Sequence, residues 1–266
     1  LLRQGFAGDV FNTLWYAARA LGPGWQVRFH TALGDDPLSD ELAAFAAQGG
    51  VDCAAAPRVA GRMPGLYMIR LSPDGERSFL YWRESSAARA LMRDRALVQA
   101  QMAAAAVIYL SGITLAILPP AEAEALIALM AEARAAGRLV AFDPNLRPRL
   151  WDCPERMRRT VTAAAQASSV ILPSHEDEAA AFGDQGPAET AARYGAQSGA
   201  QVVVKNAAGP VVVWQGGALS SHLTPALGAR PVDTTAAGDS FNAAYLAEYL
   251  RGAPLAQAVA AGQARA

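Results

Sequence analysis

From residue 105 onward one pattern repeats: a short run of Val, Ile, Leu and Phe, then a stretch of helical character. "AAVIYL" leads into "SGIT" and a helix predicted over 120–136, with Pro120 in its first turn and Gly137 at its end. "RLVAF" leads into "DPNLRPRLW" and a helix over 154–167, and "SVIL" leads into "PSHEDEAAAFGD". "QVVVK" leads into "NAAGPVVVW", which reads as a hairpin turning at 207–209. Apolar strands alternating with helices indicate βαβ units and a mostly parallel sheet covered on both faces. The segment after each run then falls at the carboxyl edge of the sheet, where open α/β sheets bind ligands. That edge collects Ser111, Asp143, Asn145, Arg147, Ser174, Asp177 and Lys205.

Residues 66–83 break the rhythm. "LYMIRLSPDGERSFLYWR" alternates apolar and polar positions on either side of a Pro-Asp-Gly turn, so a small β extension is expected there, carrying Tyr67, Tyr81 and Arg83. The alanine-rich stretches are helical in character and carry no chemistry of their own.

Hydrophobic residues make up 52% of the 266 and charged residues 18%, enough for a sizeable core and against disorder. The formal charge is −1, which argues against nucleic acid and anionic membrane as partners. No apolar run reaches the ~20 residues a membrane span needs. Cys53 and Cys153 are far apart in no metal spacing, and fit a reduced cytoplasm as structural thiols. His30, His175 and His222 likewise read as structural or surface residues, and the acidic run "HEDE" as a solvated first helical turn. The chain opens on Leu1 in what reads as the middle of an element, so the ends of a longer natural chain are expected beyond it.

One acid stands out. In "PVDTTAAGDSFNAAYLAEYL", Asp239 follows a run of small residues where an amphipathic helix begins, with Phe241, Ala244, Tyr245 and Leu246 near one face. A helix starting at 236–238 directs unpaired N–H groups and a positive dipole end outward, a geometry that suits phosphate. On local sequence alone, an ordinary helix N-terminus with a first-turn charge reads equally well.

Taken in order along the chain, these segments resemble the ribokinase-type (PfkB) family of sugar kinases. Its Asp-Thr-x-Gly-Ala-Gly-Asp turn is matched by "DTTAAGD" at Asp233, Thr234, Ala237, Gly238 and Asp239. "AGDVFN" is similar to its Gly-Gly-Asp-x-x-Asn segment, and "FHTALGDDPLSDEL" to its Gly-x-Asp-x-x-Gly-like stretch. The resemblance implies a ribokinase-like α/β fold over residues 1–266 as a single domain, with a β lid inserted at about 58–90. Within the family, "GLYMI", "FLYWRESSAA", "FDPNLRPRLW" and "PSHEDEAAAFGD" resemble the 2-keto-3-deoxygluconate kinases.

That likeness implies ATP- and Mg²⁺-dependent phosphorylation of a sugar acid at its terminal hydroxyl, giving 2-keto-3-deoxy-6-phosphogluconate, with room for a monovalent cation such as K⁺. Asp239 would be the base, with Ala236, Ala237 and Gly238 forming an anion hole. Gly8, Asn12, Tyr67, Tyr81, Arg83 and Arg147 would contact the sugar acid. Ser174, Lys205, Gly209 and Gly238 would lie by the nucleotide, and Asp177 would reach the metal through water. Two arginines suit a carboxylate, which guanidinium binds in fixed, often bidentate geometry.

There are departures. Ala7 stands for the first Gly of Gly-Gly-Asp, and Ser174 with Asp177 for an Asn-x-x-Glu pair. Ala236 replaces the first Gly of the turn, so its backbone is expected to avoid positive φ. The family's opening strand and its final, adenine-enclosing segment have no counterpart in this sequence. Arg83 and Arg147 could instead be a solvated hairpin residue and a turn cap, the tyrosines packing groups, and Lys205 a side chain that snorkels to water. A lid with an apolar face allows a homo-oligomer. The rival readings are a kinase of a neutral sugar such as fructose or ribose, or of a nucleoside, and a catalytically silent sugar- or nucleotide-binding regulator.

Overall fold

The computed structural model describes residues 4–71, 77–223 and 236–266. The first part forms α1 (Asp9–Leu21), β1 (Val27–Arg28), β2 (Leu33–Gly34), α2 (Pro37–Gln48), β3 (Val51–Asp52) and β4 (Arg58–Val59). β5 (Leu66–Leu71) and β6 (Arg77–Trp82) follow, then α3 (Arg95–Ala104). The repeating part gives β7 (Val107–Ser111), α4 (Gly112–Ile117), α5 (Pro120–Ala135), β8 (Leu139–Asp143), α6 (Pro154–Gln166) and β9 (Val170–Ile171). It continues with α7 (His175–Phe182), α8 (Pro187–Ser198), β10 (Gln201–Val204), β11 (Val211–Gln215) and β12 (Ala218–His222). The last helices are α9 (Ala237–Leu250) and α10 (Leu255–Gln263).

β7 to β10 lie side by side and parallel, and β11 and β12 extend the sheet antiparallel. The result is a six-stranded mixed sheet, parallel where strands alternate with helices. The parallel strands β7 to β10 are apolar at most positions because both of their faces are covered. Ile108, Leu110, Val140, Phe142, Ile171, Val202 and Val204 pack against residues of α3, α5, α6 and α8. The intervening residues Ala141, Val170, Leu172 and Val203 pack against Phe241, Tyr245 and Leu246 of α9 and Val259 of α10. Each fully buried Phe or Ile contributes roughly 1.5–3 kcal/mol.

The helix over 120–136 forms as Pro120–Ala135, and Gly137 behind it adopts φ 81°. The turn at 207–209 joins antiparallel strands as expected. Among the described residues β5 and β6 pair only with each other, with Tyr67 opposite Tyr81 and Leu66 opposite Trp82, in a two-stranded sheet apart from the main sheet. The Pro-Asp-Gly turn between them lies outside the described residues.

Two expectations fail. α9 is not amphipathic, for every residue from 240 to 247 is buried. It runs between the sheet, α1 and α10, so small residues such as Ala243 and Ala247 are packed as closely as Phe241. The "HEDE" run is not a solvated turn either. Glu178 is fully buried, where Arg193 donates to it at 2.8 Å and Tyr194 at 2.9 Å. Burial raises its pKa to about 7, against the lowering effect of Arg193.

Candidate active site

The parallel strands end in polar residues at one edge. Ser111 closes β7 beside Asp143, which closes β8. Past β9 and β10, Ser174 bridges Lys205, whose amide donates to the Pro173 carbonyl at 2.9 Å. Gly112 allows the chain after β7 to pass this edge, since a Cβ there would lie 2.0 Å from the Pro144 carbonyl oxygen. Asn145, at φ 37°, donates its amide to Asp143 Oδ1 at 3.0 Å.

α1 and α9 complete the cluster from the same side. Asp9 accepts from Ser111 Oγ and from Asn145 Nδ2, the latter at 3.1 Å. One turn later Asn12 Nδ2 donates to Asp239 Oδ2 at 2.9 Å. The Gly8 amide donates in turn to Asn12 Oδ1 at 3.3 Å, fixing the orientation of that amide group. On α9, Asn242 Nδ2 donates to Asp143 Oδ2 at 2.6 Å and to the Tyr109 hydroxyl at 3.0 Å. Lys205 Nζ sits between these groups, 2.8 Å from Asp143 Oδ2 and 3.0 Å from Asn242 Oδ1. It therefore points inward to an ion pair, and does not snorkel to water.

Three carboxylates, Asp9, Asp143 and Asp239, thus share one buried corner with a single lysine. Burial raises the pKa of Asp239 to about 7; the Asn12 bond opposes this, and the charges of Asp9 and Asp143 add to it. Asp9 is raised for the same first reason, opposed by its bond from Ser111. A carboxylate poised near neutrality at the start of a helix is suited to taking a proton.

Ala236, the N-cap of α9, adopts φ 62°, ψ 16° and offers no side-chain cap. The expectation that Ala avoids positive φ here is overturned. The left-handed turn is retained without Gly, at a cost of roughly 1–2 kcal/mol. It leaves the amides of Ala237, Gly238 and Asp239, which have no intrahelical acceptor, at the positive end of α9. A Cβ on Gly238 would sit 3.7 Å from Lys205 Nζ, so this amine lies against the same helix start. Asp233 and Thr234 lie outside the described residues.

Tyr67 is raised by burial first, then by Tyr81 and Asp239, which brings the Tyr67 face of the β5–β6 hairpin within electrostatic reach of the aspartate. The two tyrosine rings are 6.2 Å apart, and the Arg83 guanidinium lies 4.2 Å over the Tyr81 ring. Arg147 Nη1 donates to the Leu146 carbonyl at 2.6 Å and pairs with Asp177 Oδ2 at 3.1 Å. The residues expected separately at sugar and metal are therefore partners here. Asp177 remains raised by burial in spite of Arg147, and feels both Asp143 and Lys205. Gly209 lies in the turn after β10, its amide donating to the Asn206 carbonyl at 2.7 Å. Among the described residues no bond joins Gly209 or Arg83 to the Asp239 cluster.

Asp9, Tyr109 and Asn242 were not among the expected site residues. Asn242 falls three positions after Asp239, and Asp9 three before Asn12, so each shares a helix face with an expected residue. That spacing was the available signal. Tyr109 carried none, because an aromatic within a buried strand reads as core.

A family model described as pfkB family carbohydrate kinase matches residues 2–266. The chain is 37% identical over 257 residues to the 2-dehydro-3-deoxygluconokinase of Escherichia coli (strain K12), covering 94% of this chain and 83% of that one. The crystal structure of a PfkB protein from Polaromonas sp. JS666 is similar with a TM-score of 0.81 and 31% identity, covering 97% of this chain and 83% of that one. A fructokinase with bound ATP from Xylella fastidiosa is similar with a TM-score of 0.75 and 26% identity, covering 96% and 76%. The chain belongs to the pfkB family of carbohydrate kinases.

Proposed function

We propose that the chain transfers the γ-phosphoryl group of ATP to the terminal hydroxyl of 2-keto-3-deoxygluconate, with Asp239 as proton acceptor. The observation that carries the chemistry is Asp239 itself, buried, raised to about 7 and placed in the first turn of α9 beside uncapped amides. The substrate follows from the 37% identity to a 2-dehydro-3-deoxygluconokinase over most of both chains. The hydroxyl oxygen attacks the γ-phosphorus, the bond from that phosphorus to the bridging oxygen of ADP breaks, and the hydroxyl proton passes to Asp239. Transfer of this kind depends mainly on positioning and charge stabilisation, so a modest base suffices.

Asn12 would hold Asp239 facing the hydroxyl, and Gly8 would hold Asn12. The amides of Ala237, Gly238 and Asp239, with the positive end of α9, would stabilise charge on the transferred group. Ala236 would supply the turn that exposes them. Lys205, tied to Asp143 and Asn242, would place a fixed positive charge beside Gly238. Ser174 and Gly209 flank the strand end that carries Lys205, and would lie along the nucleotide. The donor set fits phosphate. For Mg²⁺, no group of three or more His, Cys, Asp or Glu placed so as to hold a metal ion is present among the described residues. The ion, which neutralises phosphate charge, would be held by phosphate oxygens and water, with Asp177 in its outer shell.

Tyr67 and Tyr81 would cover the sugar from the lid, and Arg83 and Arg147 would take the carboxylate. Arg147 would exchange Asp177 for substrate as it does so. That existing pair favours a second reading, a neutral-sugar kinase, because an arginine already neutralised needs no anionic substrate. ADP release measured with 2-keto-3-deoxygluconate, fructose and ribose separates the two. Preference for the sugar acid supports the proposal, and equal or better turnover of a neutral sugar overturns it.

No helix among the described residues is long and apolar enough to cross a membrane. Cys53 and Cys153 are unpaired, which supports a reduced cytoplasm as the compartment. Leu66, Leu80 and Trp82 are exposed on the lid face opposite Tyr67 and Tyr81, and a second copy of the chain would pair there. Sedimentation of the purified chain tests that pairing.

A further inference from the structure

Asp239 is tied to α1 in two ways, and only one of them is direct. Asn12 donates to its carboxylate at 2.9 Å. The next residue of α1, Thr13, is buried and donates to the Tyr109 hydroxyl on β7 at 3.2 Å. The same hydroxyl accepts from Asn242 Nδ2 at 3.0 Å, and Asn242 lies three positions after Asp239 on α9. Residues three apart share a helix face, so α1, β7 and α9 meet at one oxygen atom on the side of α9 that carries Asp239.

Tyr109 reaches this place through the period of its strand. Ile108 and Leu110 join the core formed with α3, α5, α6 and α8, while Tyr109 turns to the opposite face, which α9 covers. Its hydroxyl stays protonated. Burial raises its pKa well above the ordinary value, Asp143 adds to this, the bond from Thr13 opposes it, and Asp239 and Asp9 raise it further. The hydroxyl is thus a neutral group within electrostatic reach of all three carboxylates.

Asn242 carries the link onward. Its Nδ2 donates to Tyr109 and to Asp143 Oδ2 at 2.6 Å, and its Oδ1 accepts from Lys205 Nζ at 3.0 Å. Turning this amide over would set its N–H groups against an ammonium, which has no acceptor to offer, so one orientation is fixed. The Tyr109 hydroxyl therefore bears on both the helix of Asp239 and the ion pair beside Gly238.

We propose that Tyr109 is a positioning residue for phosphoryl transfer, its hydroxyl holding the start of α9 in register with α1 so that Asp239 faces the acceptor hydroxyl. It acts through Thr13 and Asn242 and not on the substrate. This role rests on Asp239 as the proton acceptor, but not on which sugar supplies the hydroxyl.

The test is steady-state ADP release by the full chain, with the sugar that the parent phosphorylates, in Tyr109→Phe, Thr13→Val and the double variant. Each substitution removes one hydroxyl and little volume. Each single variant is expected to lose kcat about tenfold or more, with KM for ATP and sugar within about threefold, since misplacing a reacting group costs rate. The double variant should be within about twofold of the slower single one, because both changes break the same link. Tyr245→Phe is the control. It deletes another buried hydroxyl, which donates to Gln201 at 2.6 Å at the opposite end of β10 from Lys205, and should keep the parent kcat. Asp239→Asn is measured beside these variants. If it stays active, the base assignment and the role of Tyr109 both fall; if it is inactive while Tyr109→Phe matches the parent, only the role of Tyr109 falls. A loss confined to KM, a control as slow as Tyr109→Phe, or single losses that multiply in the double variant would also overturn it. If Tyr109→Phe does not fold, Thr13→Ser is compared with Thr13→Val. Recovery of kcat with the serine hydroxyl is expected, and equal loss in both would overturn the role.

Discussion

Asn12 on α1 donates to the carboxylate of Asp239 on α9 at 2.9 Å, across 227 positions of sequence. The bond alone would lower the pKa of Asp239, yet burial and the charges of Asp9 and Asp143 outweigh it and leave the group at about 7. The aspartate must be ionised to accept a proton, so kcat/KM is expected to fall as pH drops through about 7. Asp9→Asn removes a neighbouring negative charge, and should move that acid limb to lower pH. An unmoved limb in a pH–rate profile of the folded variant would show that Asp9 does not tune Asp239.

The same shift bears on stability. A carboxyl raised from 3.8 to about 7 on folding holds its proton more tightly in the folded chain, so its contribution is most favourable below 3.8 and is lost as pH rises through about 7. Asp239→Asn, which stays neutral, should therefore melt above the parent at pH 8, by the equivalent of about 1–3 kcal/mol. Near pH 4 the difference should nearly vanish. Thermal melts of both proteins at the two pH values check the sign.

Ala236 holds a left-handed conformation that glycine adopts without penalty. Ala236→Gly should stabilise the chain by about 0.5–1 kcal/mol, since relief of strain is partly offset by greater freedom in the unfolded chain. That corresponds to a rise in Tm of roughly 1–3 °C. A fall in Tm would mean that the methyl group makes contacts worth more than the strain.

Much of this fold was legible because its sheet is covered on both faces. A strand buried on both sides must be apolar throughout, so "RLVAF" and "QVVVK" mark β8 and β10 by composition alone. The β5–β6 hairpin was legible for the opposite reason, since apolar and polar positions alternate on either side of its turn, and the two strands pair with Tyr67 opposite Tyr81. α9 misled because a helix enclosed on all sides has no polar face to reveal its period. Glu178 misled because nothing local distinguishes an acid that meets Arg193 from one that meets water. Asp9 and Asn242 act through partners at least 37 positions away, which local pattern does not contain.

Lys205 and Asp143 form an ion pair that is nearly out of solvent. Lys205→Met leaves the aspartate buried without its counter-charge, and should cost about 3–5 kcal/mol. Adding Asp143→Asn should recover part of the loss, because the uncompensated charge is then gone. A single variant as stable as the parent in denaturant titration would mean that the pair contributes nothing to folding.

Arg83 and Arg147 are proposed to read the substrate carboxylate. Each Arg→Ala change should weaken 2-keto-3-deoxygluconate binding about ten- to hundredfold, as expected for loss of a charge-assisted hydrogen bond. A neutral analogue without the carboxylate should bind poorly to the parent and lose little more in the variants, a comparison that isolates the pairwise effect. Arg147 should matter at least as much as Arg83, because it stands at the rigid sheet edge and not on the lid. Equal losses for acid and analogue would favour the neutral-sugar kinase.

The most direct test is the turnover of Asp239→Asn, measured as ADP release with saturating ATP and 2-keto-3-deoxygluconate beside calorimetric titration of the sugar acid. The substitution keeps the size of the side chain and can still meet Asn12 through its carbonyl oxygen, but it cannot accept the hydroxyl proton. The account predicts sugar-acid affinity close to that of the parent and a kcat lower by about 10²–10⁴-fold. A folded variant that keeps more than about a tenth of the parent kcat would contradict it, since loss of a general base costs far more than that.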